Sequence, residues 1–250
     1  MVRPAAPRSG RPGAGPPSRR CVEQWPACTV GSVTEVSVEQ IALADDPGAW
    51  EALGFAIDGE TCQLGSVVLN LRGAQAGRAI LEWSLRGVAS TELDGLATTI
   101  STAPPAGPAP EHPNGAAGVD HVVAMSPSLD RTVAALQAAG LDLRRIREEP
   151  TPAGAPRQAF FRLGEVILEV VQEPAEVFER EGGSDRPARL WGLALVFADL
   201  PRAVEMLGED ASPVRPAVQP GRQIATVRRS AGLSVPLALM SRGEAAGARV

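Results

Sequence analysis

One local pattern recurs along this chain, and it constrains the fold more tightly than composition does. In its clearest copy, residues 119–125 (VDHVVAM) alternate as a strand, and residues 126–140 read as a capped amphipathic helix. Ser126 is the N-cap candidate, Pro127 tolerates the first turn, Leu129, Val133 and Leu136 fall on one face, and Gly140 stops the helix. Three strands follow at residues 141–147, 158–163 and 165–171, the last two joined by a tight turn at Gly164. The order is strand, helix, strand, strand, strand.

The same order returns after Trp191: a strand over 191–197, a helix over 199–207 with Gly208 as stop, then proline-interrupted strands and a last strand over 233–240. An N-terminal copy, shorter by one strand, runs through 38–44, a helix over 45–53, and strands over 55–63 and 66–72. A fragment, a strand over 80–88 followed by a helix over 92–97, reads as the opening of another unit without closing strands.

Breaker-rich stretches divide these copies. Residues 1–33 form a leader whose first 20 residues are Pro, Gly, Ala, Ser and Arg almost throughout, so it buries too little apolar surface to offset its ordering entropy and is expected to be disordered. A leader of this composition also raises the expectation of a misplaced translation start. Residues 101–117 read as a Pro-rich linker, and residues 243–250 as a flexible tail. The expected organisation is therefore a reduced module plus fragment over 34–100, a central module over 118–173 and a third module over 187–242.

Composition removes whole classes of function. All 24 basic residues are arginine, and there is no tyrosine, so Schiff-base lysines, P-loop lysines and tyrosine general acids are excluded. A formal charge of -5 argues against nucleic acid as a partner. No stretch approaches the roughly 20 apolar residues that span a bilayer, and Arg19-Arg20 lacks the apolar segment of an export signal. Three cysteines, Cys21, Cys28 and Cys62, fit no disulfide framework and suggest reduced thiols in a cytoplasm, with Cys62 a small core residue. The only histidines are His112, in a turn ending Asn114-Gly115, and His121. Strand alternation puts His121, Val123 and Met125 on one face and Glu165, Ile167, Glu169 and Val171 on one face, so His121 and Glu169 are both able to look into a cavity. Arg157, beside the strand at 158–163, is a candidate for pairing with a carboxylate substrate.

The repeated βαβββ syntax, with His121 in VDHVV, the Ser126-Pro-Ser-Leu-Asp helix start and Glu169 in EVILEVV, resembles the vicinal oxygen chelate superfamily. Glyoxalases, bleomycin-resistance proteins and extradiol dioxygenases belong to it. The resemblance spans residues 36–240 and is strongest over 119–172. It implies an α+β fold of tandem βαβββ modules whose curled mixed sheets form an open barrel around a divalent cation such as zinc, nickel, manganese or iron. It also implies ligands from the first and last strands: His121 and Glu169 centrally, with Gln40 and Asn70 at the matching N-terminal positions. On that pattern His121, Glu169 and Gln40 hold the metal, Glu169 shuttles a proton, and Asn70 contacts substrate. The third copy departs from it, because Gly192 and Leu237 fall where ligands belong. With no second histidine there, the extradiol dioxygenase reading is set aside. Two functions remain: a metal-dependent, glyoxalase-like lyase or isomerase acting on a small vicinal-oxygen substrate, and a metal-free module that binds or sequesters a small molecule. The family's habit of completing barrels across subunits allows a homodimer.

Overall fold

A computed structural model describes residues 35–151, 154–180 and 182–243. The expected disordered leader over 1–33, with Cys21 and Cys28, and residues 244–250 of the expected flexible tail lie outside the described residues.

Two mixed sheets carry the fold. The first is built from β1 (Ser37–Leu43), β2 (Thr61–Leu64), β3 (Val67–Leu71), β4 (Ile80–Arg86) and β5 (Thr98–Ile100), with α1 (Pro47–Ala52) between β1 and β2. Its strand order is β2-β3-β1-β4-β5, with β1 parallel to β3, β4 parallel to β5, and β1 antiparallel to β4.

The second sheet begins with β6 (Ala116–Ser126), α2 (Leu129–Ala138), β7 (Asp142–Arg147), β8 (Gln158–Leu163) and β9 (Val166–Gln172). After α3 (Ala175–Arg180) come β10 (Arg189–Phe197), α4 (Leu200–Leu207), β11 (Arg215–Pro216), β12 (Gln223–Thr226) and β13 (Leu237–Ser241). The order β11-β12-β13-β10-β6-β9-β8-β7 joins two βαβββ units through the antiparallel pair β6–β10. Each unit keeps its first and last strands parallel. This is an α+β architecture of curled, unclosed mixed sheets.

The strand periodicity explains the layering. Val122, Ala124, Phe161, Leu168 and Val170 are buried on one face, where α2 packs on β7, β8 and β9 and α4 on β12 and β13. Their neighbours His121, Val123, Phe160, Ile167 and Glu169 are only partly buried on the other face. Among the described residues, no helix is long and apolar enough to cross a membrane.

Several local expectations are corrected. Helix α2 starts two residues later than its sequence suggests, capped at Ser128; Ser126 Oγ instead accepts the Ser128 N–H and bonds Thr132 Oγ1. Asp199 does cap α4, its side chain accepting the Arg202 N–H. Residues 92–97 form no helix, and the fragment does have a closing strand, β5, paired parallel with β4. The five-stranded sheet is thereby a shortened version of the eight-stranded one, with β2-β3-β1-β4-β5 matching β8-β9-β6-β10-β13. The Pro-rich segment crosses the first sheet's open face, tied by Arg86 to the Ala103 carbonyl and by Gln63 Nε2–H to the Gly107 carbonyl at 2.6 Å.

Candidate functional site

The open face of the eight-stranded sheet holds a cleft of about 230 Å³, lined by residues that include Asp120, His121, Phe160, Arg162, Glu169 and Arg222. Sheet register sets its floor. One row runs Arg162, Ile167, His121, Ala194 and Ala238 across β8, β9, β6, β10 and β13, and the next runs Phe160, Glu169, Val123 and Gly192. His121 and Glu169 therefore lie diagonally across two parallel strands and face the same space.

A β-bulge brings in a third polar group. The β6–β10 register shifts between His121, opposite Ala194, and Val119, opposite Leu195, leaving Asp120 as the extra residue. A bulge defeats alternation locally, so consecutive Asp120 and His121 both serve the cleft. Strict alternation over VDHVV hides Asp120, and nothing in the sequence marks the bulge.

The polar groups form a chain. Arg222 donates to Asp120 at 2.6 and 3.3 Å, and Asp120 Oδ2 lies 2.8 Å from His121 Nδ1. Beyond the ring, His121 Nε2 is 3.5 Å from Glu169 Oε2, and Gln158 Nε2–H donates to Glu169 Oε1. Burial works to raise the Asp120 pKa, but hydrogen bonds from His121 and Arg222 outweigh it and hold the carboxyl below its ordinary value. An ionised Asp120 accepts only, which fixes the proton on Nδ1 and turns Nε2 toward Glu169. Glu169 moves the other way. Its burial raises the pKa more than the charges of His121 and Arg147 and the Gln158 bond lower it.

The first sheet offers an internal control. Register matches Gln40 to His121 and Asn70 to Glu169, since Gln40 pairs with Val68 as His121 pairs with Ile167. A bulge recurs at Glu39, whose carboxylate takes Arg86 at 2.9 and 3.1 Å much as Asp120 takes Arg222. Here the diagonal pair is neutral: Asn70 Nδ2–H donates to Gln40 Oε1 at 3.2 Å. Both amides belong to the first sheet, and neither lines the cleft of the second.

The remaining sequence candidates have other partners. Arg157 is paired with Glu148 at 2.6 Å and Asp130 at 3.0 Å and does not line the cleft. His112 joins the two halves of the chain: Nδ1 accepts the Ala56 N–H at 3.0 Å and Nε2 is 2.9 Å from the Gln63 carbonyl. Cys62 is fully buried, which pushes its thiol up to about 12.

A divalent metal would find His121 Nε2 and the Glu169 carboxylate, with Asp120 on the far ring nitrogen in the place of an orienting partner. A mononuclear catalytic site takes three protein ligands and an open position. Among the described residues, no group of three or more His, Cys, Asp or Glu is arranged to hold a metal ion. The third module cannot complete the set. A Cβ on Gly192 would sit 2.9 Å from the Pro236 carbonyl oxygen, so the backbone leaves no room for a side chain there. At the last strand Ala238, not Leu237, shares the face of Ala194 and His121, while Leu237 is buried opposite Leu193. The donor set does not fit a three-ligand metal centre.

No protein-family model and no curated protein matches the sequence. Solved structures do. A triple mutant of 4-hydroxymandelate synthase from Streptomyces coelicolor is 13% identical, with 84% of this chain and 94% of that chain covered and a TM-score of 0.56. A xylose isomerase-like TIM barrel/4-hydroxyphenylpyruvate dioxygenase fusion protein is 14% identical, with 86% of this chain but half of that chain covered and a TM-score of 0.53. Methylmalonyl-CoA epimerase from Mycobacterium tuberculosis is 16% identical over 52% of this chain and 91% of that chain, with a TM-score of 0.42.

Proposed function

This chain has the vicinal oxygen chelate fold, and from that premise we propose that its cleft performs proton transfer on a small organic molecule, as an isomerase or lyase does. The observation that carries this reading is the ordered chain Arg222, Asp120, His121, Glu169, Gln158 along the cleft floor. Glu169 is the general base: a carboxyl with a raised pKa gives up less driving force when it takes a proton from carbon than an ordinary one. His121 is its acid partner, presenting Nε2 to the same space and holding a proton for the neighbouring oxygen of the substrate. Asp120 is a positioning residue: bonded to Nδ1, it keeps the ring from turning.

The fold family's divalent cation is not part of this proposal, because among the described residues the donor set lacks a third ligand. The proposal includes a reducing, cytoplasmic setting in which Cys62 stays a free thiol. A second reading, a module that binds a small molecule without transforming it, is favoured by one observation: both Glu169 oxygens already have protein partners.

Deuterium wash-in separates the two. A panel of small 2-hydroxy and 2-oxo acids is incubated with the protein in D2O and followed by proton NMR. Loss of an α-proton signal with wild type but not with E169Q supports proton transfer. Saturable binding without exchange for any member supports the second reading.

A further inference from the structure

The cleft face is chemically lopsided. Its β10–β13 side presents Gly192, Ala194 and Ala238, with Arg222 beside β13 already held by Asp120, whereas its β7–β8 side carries Arg145, Arg147 and Arg162, and Glu165 also lines the cleft. Register extends the rows outward: Arg145 stands opposite Phe160, which stands opposite Glu169, and Arg147 stands opposite Gln158.

Separate observations direct each arginine at the cleft. Arg162 lines it and donates Nε–H to the Gly164 carbonyl at 2.6 Å. The Arg145 guanidinium carbon lies 5.2 Å from the ring centroid of Phe160, itself a lining residue. Arg147 is near enough to Glu169 for its charge to act on that carboxyl. Among the described residues no carboxylate lies within ion-pair distance of Arg145 or Arg162, and Arg147 reaches only the exposed Glu149, at 3.8 Å. The neighbouring Arg144, by contrast, is paired with Asp142 at 3.0 Å.

Three cations on one wall repel one another, and an oxyanion among them relieves that repulsion through charge-assisted hydrogen bonds. Arginines on an edge strand also deter strand pairing, but that role needs no stacking on a cleft ring and no contact with the cleft itself. We infer that the β7–β8 wall is an anion subsite, and that the molecule bound in the cleft is at least a dianion. One acidic group meets His121 and Glu169, and a second oxyanion, a carboxylate or a phosphate, rests on Arg145, Arg147 and Arg162. Two strand spacings, about 10 Å, separate the Glu169 and Arg145 backbones, which suits a short chain of roughly four to six atoms. The assignment rests on the proposed use of the cleft and names the class of molecule it takes.

The test uses the full chain and three probes at constant ionic strength: butyrate, glutarate and inorganic phosphate, titrated by calorimetry. Glutarate and phosphate are expected to bind about tenfold more tightly than butyrate. That advantage disappears in R145Q/R162Q and in the single variant R162Q, and persists in R144Q. Equal affinity for glutarate and butyrate overturns the subsite, as does an advantage that survives in folded R145Q/R162Q. E169Q keeps the two ideas apart. Tight glutarate binding retained in E169Q, with no proton exchange in wild type, leaves the subsite standing and removes the acid–base reading. Exchange in wild type without any dianion preference does the reverse.

Discussion

His121 Nε2 stands 3.5 Å from Glu169 Oε2, across two parallel strands and one row out of register, while Asp120 holds the opposite nitrogen of the same ring at 2.8 Å. The separation is longer than an ordinary hydrogen bond, near enough for the charge of one group to act on the other and open enough for a substrate atom to reach both.

The Asp120 pair with Arg222 is shielded, with side-chain exposures of 16% and 14%. Removing one partner strands the other charge, so D120N is expected to lower unfolding free energy by about 3 kcal/mol in urea denaturation. D120E, which keeps the charge, is expected to recover more than half of that loss. Equal losses in both variants would show that the contribution is packing and not the ion pair.

Glu169 gives stability a definite pH dependence. Its folded pKa is raised from 4.5 by burial, so the protonated form is favoured on folding. The stability it contributes is fully present below the unfolded value of 4.5 and is lost as pH rises through the higher folded value. Wild type should therefore lose stability relative to E169Q as pH rises across that window. A difference between the two that stays constant with pH contradicts the assignment.

His112 works with the opposite sign. Burial lowers its pKa from 6.5 more than the Gln63 carbonyl raises it, so the neutral ring is favoured on folding. Its contribution is present above 6.5 and is lost as pH falls through the lower folded value. Because its ring links Ala56 and Gln63 to the approach to β6, H112Q is expected to remove that acid sensitivity, at a cost of about 1–2 kcal/mol at neutral pH. Thermal melts at a series of pH values check both parts.

Gly192 explains why the third module contributes no ligand. With a Cβ placed 2.9 Å from the Pro236 oxygen, G192A should destabilise by about 1–3 kcal/mol, and G192H should not build a metal site. Elemental analysis after dialysis against zinc, nickel, manganese or iron is expected to find less than one ion per chain in wild type. A full equivalent that is lost in both H121A and E169A would contradict the donor count.

Much of this arrangement was legible in the sequence because strand alternation is a strong signal. The runs VDHVV and EVILEVV each set polar residues among apolar neighbours, and the register does bring His121 and Glu169 to one cleft. The match of Gln40 to His121 and of Asn70 to Glu169 also followed from the repeat. What remained hidden depends on breaks in alternation. The bulge at Asp120 moves one residue to an unexpected face, which is why Asp120 was missed; Leu237 was taken for Ala238 because the irregular stretch between β12 and β13 gives no periodicity from which to count the register. Strand β5 is three residues long and runs into a proline-rich stretch, too short for periodicity to show. Arg222 enters from outside the regular strands, where only tertiary structure sets its partner.

The most direct test of the account is a carbon-13 NMR titration of the Glu169 carboxyl, assigned by comparison with E169Q and repeated in H121A. The account predicts that Glu169 titrates above 4.5 in wild type, and higher still in H121A, where the cation that favours its ionised form is gone. Titration at or below 4.5, or a value unmoved by H121A, would contradict the claim that these two residues form a coupled proton-transfer pair.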